Sequence, residues 1–341
     1  MPVALEDRRS IAQAVIAAEK QMEFSVMLHP ANAAEQREKF LSGAIEEPIF
    51  AYGACVVPAM NFPEITMGTE LEALYRDRIG QTRGLALLLR LVGHDSEFSA
   101  LGQVLFPVTE VENPPPFSKE KEELSIGAEE IMRTFQEALV ACGIEGWEVK
   151  LERHCSSRMF VNQWEKKIAV RADVRITPKE LSALTRHEIG VHVVRYAHGC
   201  MQREPLLHVG TSRGRLVEEG VACFAEHPDG HPRLYERHFA VQMALEHSFR
   251  ETWQALCEYG CSPEDAWVHT LRVKRGLTDG ASHGAFTRDA LYAQGFETVR
   301  AYISGGGRLD SLLSAAVHPE EIQFFMEEEG MEIFSIPPLL L

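Results

Sequence analysis

The 341-residue sequence contains no apolar run as long as a membrane span; its closing stretch, IPPLLL, is far below the ~20 residues a spanning helix needs. It also lacks any excess of basic residues. Lys and Arg total 34 against 50 Asp and Glu, a formal net charge of −16 with no Lys/Arg block to offset it. That argues against a nucleic acid or an anionic membrane surface as the main partner. Cysteine is sparse and odd in number: seven residues, scattered from Cys55 to Cys261, do not make a disulfide framework. Even Cys257 and Cys261, one helical turn apart, read as small buried hydrophobes. A reduced, cytoplasmic protein is the expectation. The N-terminal MPVALEDRRS is charged and has no apolar run before a small-residue cleavage site, so no signal peptide is expected. No internal repeat occurs at a solenoid period.

What is present suits a large core: 45% of residues are hydrophobic and 25% charged, enough for one big domain or two ordinary ones. SIAQAVIAAEKQM and TELEALYRDRIGQTRGLALLLRLVG carry helical spacing. The Pro-rich, then charged, stretch over 110–122 is the best boundary, dividing a helical N-terminal region (1–115) from a catalytic domain (116–341). Beyond it, Ile131, Phe135 and Leu139 mark a helix closed by Gly143. WEVKLE, SRMFVN and KIAVRA read as three short strands with antiparallel pairing. The remainder reads as helices near 178–198, 214–227, 232–259, 263–275, 287–303 and 319–329. The fold class expected is α+β, mainly helical, with a small antiparallel sheet beside a zincin-like active-site helix.

That helix is ITPKELSALTRHEIGVHVVRYAHG. Thr177, Pro178 and Glu180 form a capping-box start, and Gly199 reads as its C-cap. Within it, His187-Glu188-Ile189-Gly190-Val191-His192 resembles a zinc-protease signature with one residue too many. Histidines four apart share a helix face, but five apart diverge by about 140° on a regular α-helix. A π-type turn reduces this to roughly 50°, and Gly190, lacking a β-carbon, eases the widening. About 27 residues on, RLVEEGVACFAEH offers Glu218 and Glu219 as a carboxylate ligand. Two imidazoles and one carboxylate leave a coordination position for water, as catalytic zinc requires, and Glu188 beside the first ligand would be the base.

These residues resemble the microtubule-associated tyrosine carboxypeptidases and their bacterial relatives, whose pattern is His-Glu-x-x-x-His followed by a Gln-Glu-Gly-Leu-Ala element. Glu218-Glu219-Gly220-Val221-Ala222 matches that element with Glu for Gln and Val for Leu. LHPANAAEQREKFLSGAIEEPIFAY, and RVKRG followed by GAFTRDALYAQG, are similar to further family segments, so the resemblance runs from about residue 26 to 315. It implies His187, His192 and Glu219 as ligands of one zinc ion per chain, with Glu218 in the place of a neutral residue. It also implies a carboxypeptidase that removes a C-terminal residue, typically aromatic, from a peptide or protein. Such an enzyme needs a cation for the substrate carboxylate, for which Arg275 and Arg213 (with Arg215 beside it) are candidates. It also needs a donor for the developing oxyanion, for which Tyr292 is the candidate. The rival readings are a zinc endopeptidase, an amidohydrolase acting on another amide, a non-catalytic regulatory or binding protein that keeps zinc structurally, or a folded protein without metal. Oligomeric state and natural substrate are not legible in the sequence, and tubulin is not implied.

Overall fold

Side-chain caps set where several of the helices begin. Thr69, Thr177 and Ser248 each accept a hydrogen bond from the backbone N–H three residues on, while Glu72, Glu180 and Glu251 there reach back to the cap N–H. The computed structural model describes the chain except for residues 1–3, 56, 58, 59, 64, 66, 67, 112–123, 154–157 and 341. Helices α1 (Leu5–Glu19), α2 (Phe24–Met27), α3 (Ala33–Leu41), α4 (Glu70–Arg90) and α5 (Asp95–Leu105) come first. Next are β1 (Ile126–Gly127), α6 (Ala128–Ala141), β2 (Glu148–Glu152), β3 (Met159–Asn162), β4 (Lys167–Arg171) and β5 (Arg175–Ile176). Then α7 (Pro178–Thr185), a π-helical segment (Arg186–Val193) and α8 (Val194–Met201) run on without a break. They are followed by α9 (Pro205–Val209), α10 (Ser212–Glu226), α11 (Pro232–Glu246), α12 (Phe249–Tyr259) and α13 (Pro263–Lys274). The last are α14 (Ala290–Ser304), α15 (Leu309–Leu313) and α16 (Ile322–Glu328). The fold is α+β and mainly helical. None of the described helices is long and apolar enough to cross a membrane.

Three details depart from the sequence reading. The three strands make a mixed sheet in the order β2-β4-β3: β3 pairs antiparallel with β4, but β2 pairs parallel to it. Ile168, Ala169 and Val170 of β4 are fully buried, as a central strand's residues are. The hairpin puts β3 on one flank, and β2 fills the other. A separate ladder, Ile126 opposite Ile176, joins β1 to β5 and fixes the start of α7. The helix expected over 232–259 is two, because His247 is extended and the Ser248 hydroxyl caps a fresh start. Gly199 is not a cap but lies inside α8, where a β-carbon would come within 2.6 Å of the Leu207 carbonyl oxygen.

The π segment sits between two hydrophobic clusters. Ile189 and Val193 pack with Ile168 and Val170 of β4 and with Ile131 and Phe135 of α6. Val191 packs the other way, with Val221 and Ala222 of α10 and with Leu206. Val15 and Ile79, from before the 110–122 stretch, join this second cluster. The stretch itself lies almost wholly outside the described residues.

Candidate active site

The widened turn is seen directly. Val194 N–H donates to the Ile189 carbonyl five residues back. Gly190 also faces Leu340: a β-carbon there would lie 2.8 Å from Cδ2, so the glycine makes room for the C-terminal segment as well. With five residues spanning the wider turn, the rings of His187 and His192 come together, their centroids 4.9 Å apart. One donor atom each from His187, Glu188 and His192 falls within 4.8 Å of the others.

Helix α10 brings the carboxylates. Glu219 Oε2 is 3.6 Å from His187 Nε2 and 3.7 Å from His192 Nε2. The other face of each ring meets a different acid. His192 Nδ1 is 3.1 Å from Glu218 Oε1, and Glu218 Oε2 is held by Arg215 at 2.5 Å. His187 Nδ1 is 3.2 Å from Glu226 Oε1, near enough for charge pairing though not aligned as a hydrogen bond. The approach of α10 depends on Gly220: a β-carbon there would fall 2.0 Å from the Gly295 carbonyl carbon of α14.

This arrangement fits a divalent cation. Tetrahedral zinc with arms of about 2.1 Å separates neighbouring ligand atoms by about 3.4 Å. The two Nε2–Oε2 separations are longer than hydrogen bonds and close to that edge. His192 Nδ1 is hydrogen-bonded to a carboxylate and His187 Nδ1 faces one, the arrangement that orients metal-binding imidazoles. Electrostatics agree. Burial opposes charge on the rings, yet Glu226 and Glu219 hold His187 well above its ordinary pKa, and Glu218 and Glu219 hold His192 up at about 9. The site therefore favours positive charge at the point the rings share. Glu188 is raised chiefly by burial, with His187 and His192 opposing.

These groups line a cavity of about 290 Å³. Its wall includes β3, Phe24, Phe106 and Phe286, and several cations. Arg275 reaches the cavity but is buried, its Nε donating to the Arg272 carbonyl and its guanidinium lying over Phe286. Tyr292 also lines it, with Arg237 4.2 Å from its ring, and burial holds its hydroxyl protonated. Arg213 is elsewhere: its side chain is half exposed and pairs with Glu320 at 2.6 Å, outside the cavity lining. Arg213, the second residue of α10, is thus directed to Glu320 and not to this cavity.

Arg288, given no role in the sequence reading although it lies within FTRDALY, is half-buried on the cavity wall, 3.7 Å from Glu219 Oε1. Arg272 is committed to Asp289 by two hydrogen bonds of 2.6 and 2.9 Å. Glu226, which pairs with His187, was also missed; it lies about two turns further along the same face of α10. His198 is taken up by the Leu313 carbonyl, and His227 and His231 stack on each other. A second cavity of about 370 Å³, lined by Trp147, Tyr196 and His198, carries none of the candidate ligands.

A family model described as microtubule-associated tyrosine carboxypeptidase matches residues 77–338. The chain belongs to that family. Microtubule-associated tyrosine carboxypeptidase 1 of Mus musculus and of Homo sapiens are each 29% identical to it over 129 residues, 34% of this chain and 26% of theirs. The Rattus norvegicus protein of the same name is 28% identical over the same extent. The matched stretch thus spans about a quarter of the length of these relatives.

Proposed function

We propose that the chain is a zinc-dependent carboxypeptidase that removes a C-terminal aromatic residue from a peptide or protein. The observation that carries this reading is that Glu219 Oε2 stands 3.6 and 3.7 Å from the Nε2 atoms of His187 and His192, with the Glu188 carboxyl clustered with both rings and arginines on the same cavity wall. The family's name supplies the end of the chain attacked and the residue type. Zinc bound by those three residues supplies Lewis acidity toward water and the scissile carbonyl.

The protein's own groups do the rest. Glu188, raised by burial, takes a proton from the attacking water and returns it to the leaving amine. Tyr292, kept protonated, donates toward the oxyanion as it forms. Arg288 and Arg275 hold the substrate's terminal carboxylate, Arg288 having the more exposed guanidinium. Phe24, Phe106 and Phe286 give the departing side chain an apolar wall. Glu218 and Glu226 orient the imidazoles.

The deciding experiment is mass spectrometry of a peptide library incubated with the protein, with and without a chelator. Loss of single C-terminal aromatic residues, abolished by the chelator, is the expected result. Internal cleavage, or trimming that the chelator does not affect, would overturn the proposal.

A further inference from the structure

Away from this cavity, α11, α13 and the turn between α12 and α13 bring Glu236, His269 and Cys261 together in the interior. Each is more than nine-tenths buried, at 6%, 7% and 6% exposure. One donor atom from each lies within 4.8 Å of the other two. His269 Nε2 is 3.3 Å from Glu236 Oε2, again about the edge of a zinc tetrahedron. The ring's second nitrogen, Nδ1, is buried and finds no hydrogen-bond partner among the described residues. Buried polar atoms are nearly always paired, so a buried histidine with one ring nitrogen unpartnered, clustered with a thiol and a carboxylate, needs an explanation.

We infer that Glu236, Cys261 and His269 hold a second, non-catalytic metal ion, a thiophilic divalent cation of the zinc type. The chemistry balances. As the sulfur–metal bond forms, the Cys261 thiol releases its proton to solvent; zinc changes no oxidation state. One thiolate and one carboxylate cancel the ion's two positive charges, leaving a neutral group in the interior, where uncompensated charge is costly. The set differs from the catalytic one in having sulfur and in lying outside that cavity's lining. Its effect is to fasten α11 to α13, whose next turn carries Arg272 and Arg275 to the cavity wall.

Sulfur gives the test a signal of its own. The full-length protein is loaded with Co²⁺ in place of its native metal, and absorption is read for a thiolate-to-cobalt charge-transfer band in the near ultraviolet. The His187–His192–Glu219 set has no sulfur, and the Cys223 thiol that lies with Glu226 beside His187 is checked by Cys223→Ser, which is expected to keep the band. The band is expected in the wild type and in His192→Ala, and is expected to vanish in both Cys261→Ser and His269→Gln. Elemental analysis should show Cys261→Ser holding one metal equivalent fewer than the wild type. Cobalt-loaded wild type without the band, or a band that survives both Cys261→Ser and His269→Gln, would overturn the inference. The wild-type spectrum decides against the site even if a variant fails to fold. Failure of the catalytic reading would leave the band untouched.

Discussion

Glu218 and Glu219 are neighbours on α10, yet the geometry gives them different work. Glu219 presents one oxygen to both Nε2 atoms, whereas Glu218 reaches the far side of His192 and is tied to Arg215. Removing a ligand and removing a ligand's support have different consequences. Glu219→Ala should lose the catalytic metal equivalent, as should His187→Ala. Glu218→Ala should keep it with roughly 10–100-fold weaker affinity. Titration against a competing chelator separates the two, and the reverse order would put the second motif off by one residue. Glu188 differs again, since the proposed mechanism has it move a proton. Glu188→Gln should keep the metal and lose about 10²–10⁴-fold in turnover, because an amide cannot accept that proton. Full activity in this variant would place the base elsewhere. For the carboxylate, Arg288→Gln should raise KM by roughly 10–100-fold with kcat little changed, the loss of about one charged hydrogen-bond pair. An unchanged KM would return the task to Arg275.

At the scale of elements, the site depends on how closely helices approach. The glycine of Glu219-Gly220 lies against Gly295, where a β-carbon would sit 2.0 Å from backbone, while one on Gly295 would meet Gly220 at 3.1 Å. Backbone cannot rotate away as a side chain can. Gly220→Ala should therefore cost about 1–3 kcal/mol or more and pull Glu219 off the metal; Gly295→Ala should be milder. Thermal melts with and without added zinc check both halves. The reason for a glycine there was not legible in the sequence, because α14 is some 75 residues away in the chain. The same holds for Gly199 and α9, which the sequence presents only as a plausible stop. Local signals were legible: the Thr177 cap, the apolar residues of α6, and the widened turn demanded by histidines five apart. The parallel seat of β2 was not, since a strand's own residues do not say which flank of a neighbour it will take. Arg213 and Arg288 show the same limit at the site. Both are arginines close to a motif, and only the direction of each side chain distinguishes them.

Across the whole molecule, a buried arginine ties the N-terminal helices to one another and to the turn before α10. Arg78 of α4 donates to Glu19 of α1 at 2.6 Å, to Thr82 at 2.8 Å, and to the Gly210 carbonyl at 3.0 Å, directly before α10. Arg78 is 1% exposed and the Glu19 side chain 8%. Breaking such a pair leaves a buried charge alone, so Arg78→Ala should cost about 3–5 kcal/mol. Burial by itself would raise the Glu19 carboxyl, but Arg78 and the Thr82 hydroxyl outweigh it and hold its pKa below the ordinary value. A carboxyl lowered in the folded state binds fewer protons than in the unfolded chain once pH drops below about 4.5. Its stabilisation is then fully present above the unfolded pKa and is lost as pH falls through the folded one. Glu19→Gln removes that dependence. The variant should melt below the wild type at neutral pH, and the gap should narrow on acidification below about pH 4.5. Parallel Tm curves for the two proteins across that range would show that Arg78 does not hold the Glu19 carboxyl below its ordinary value in the folded chain.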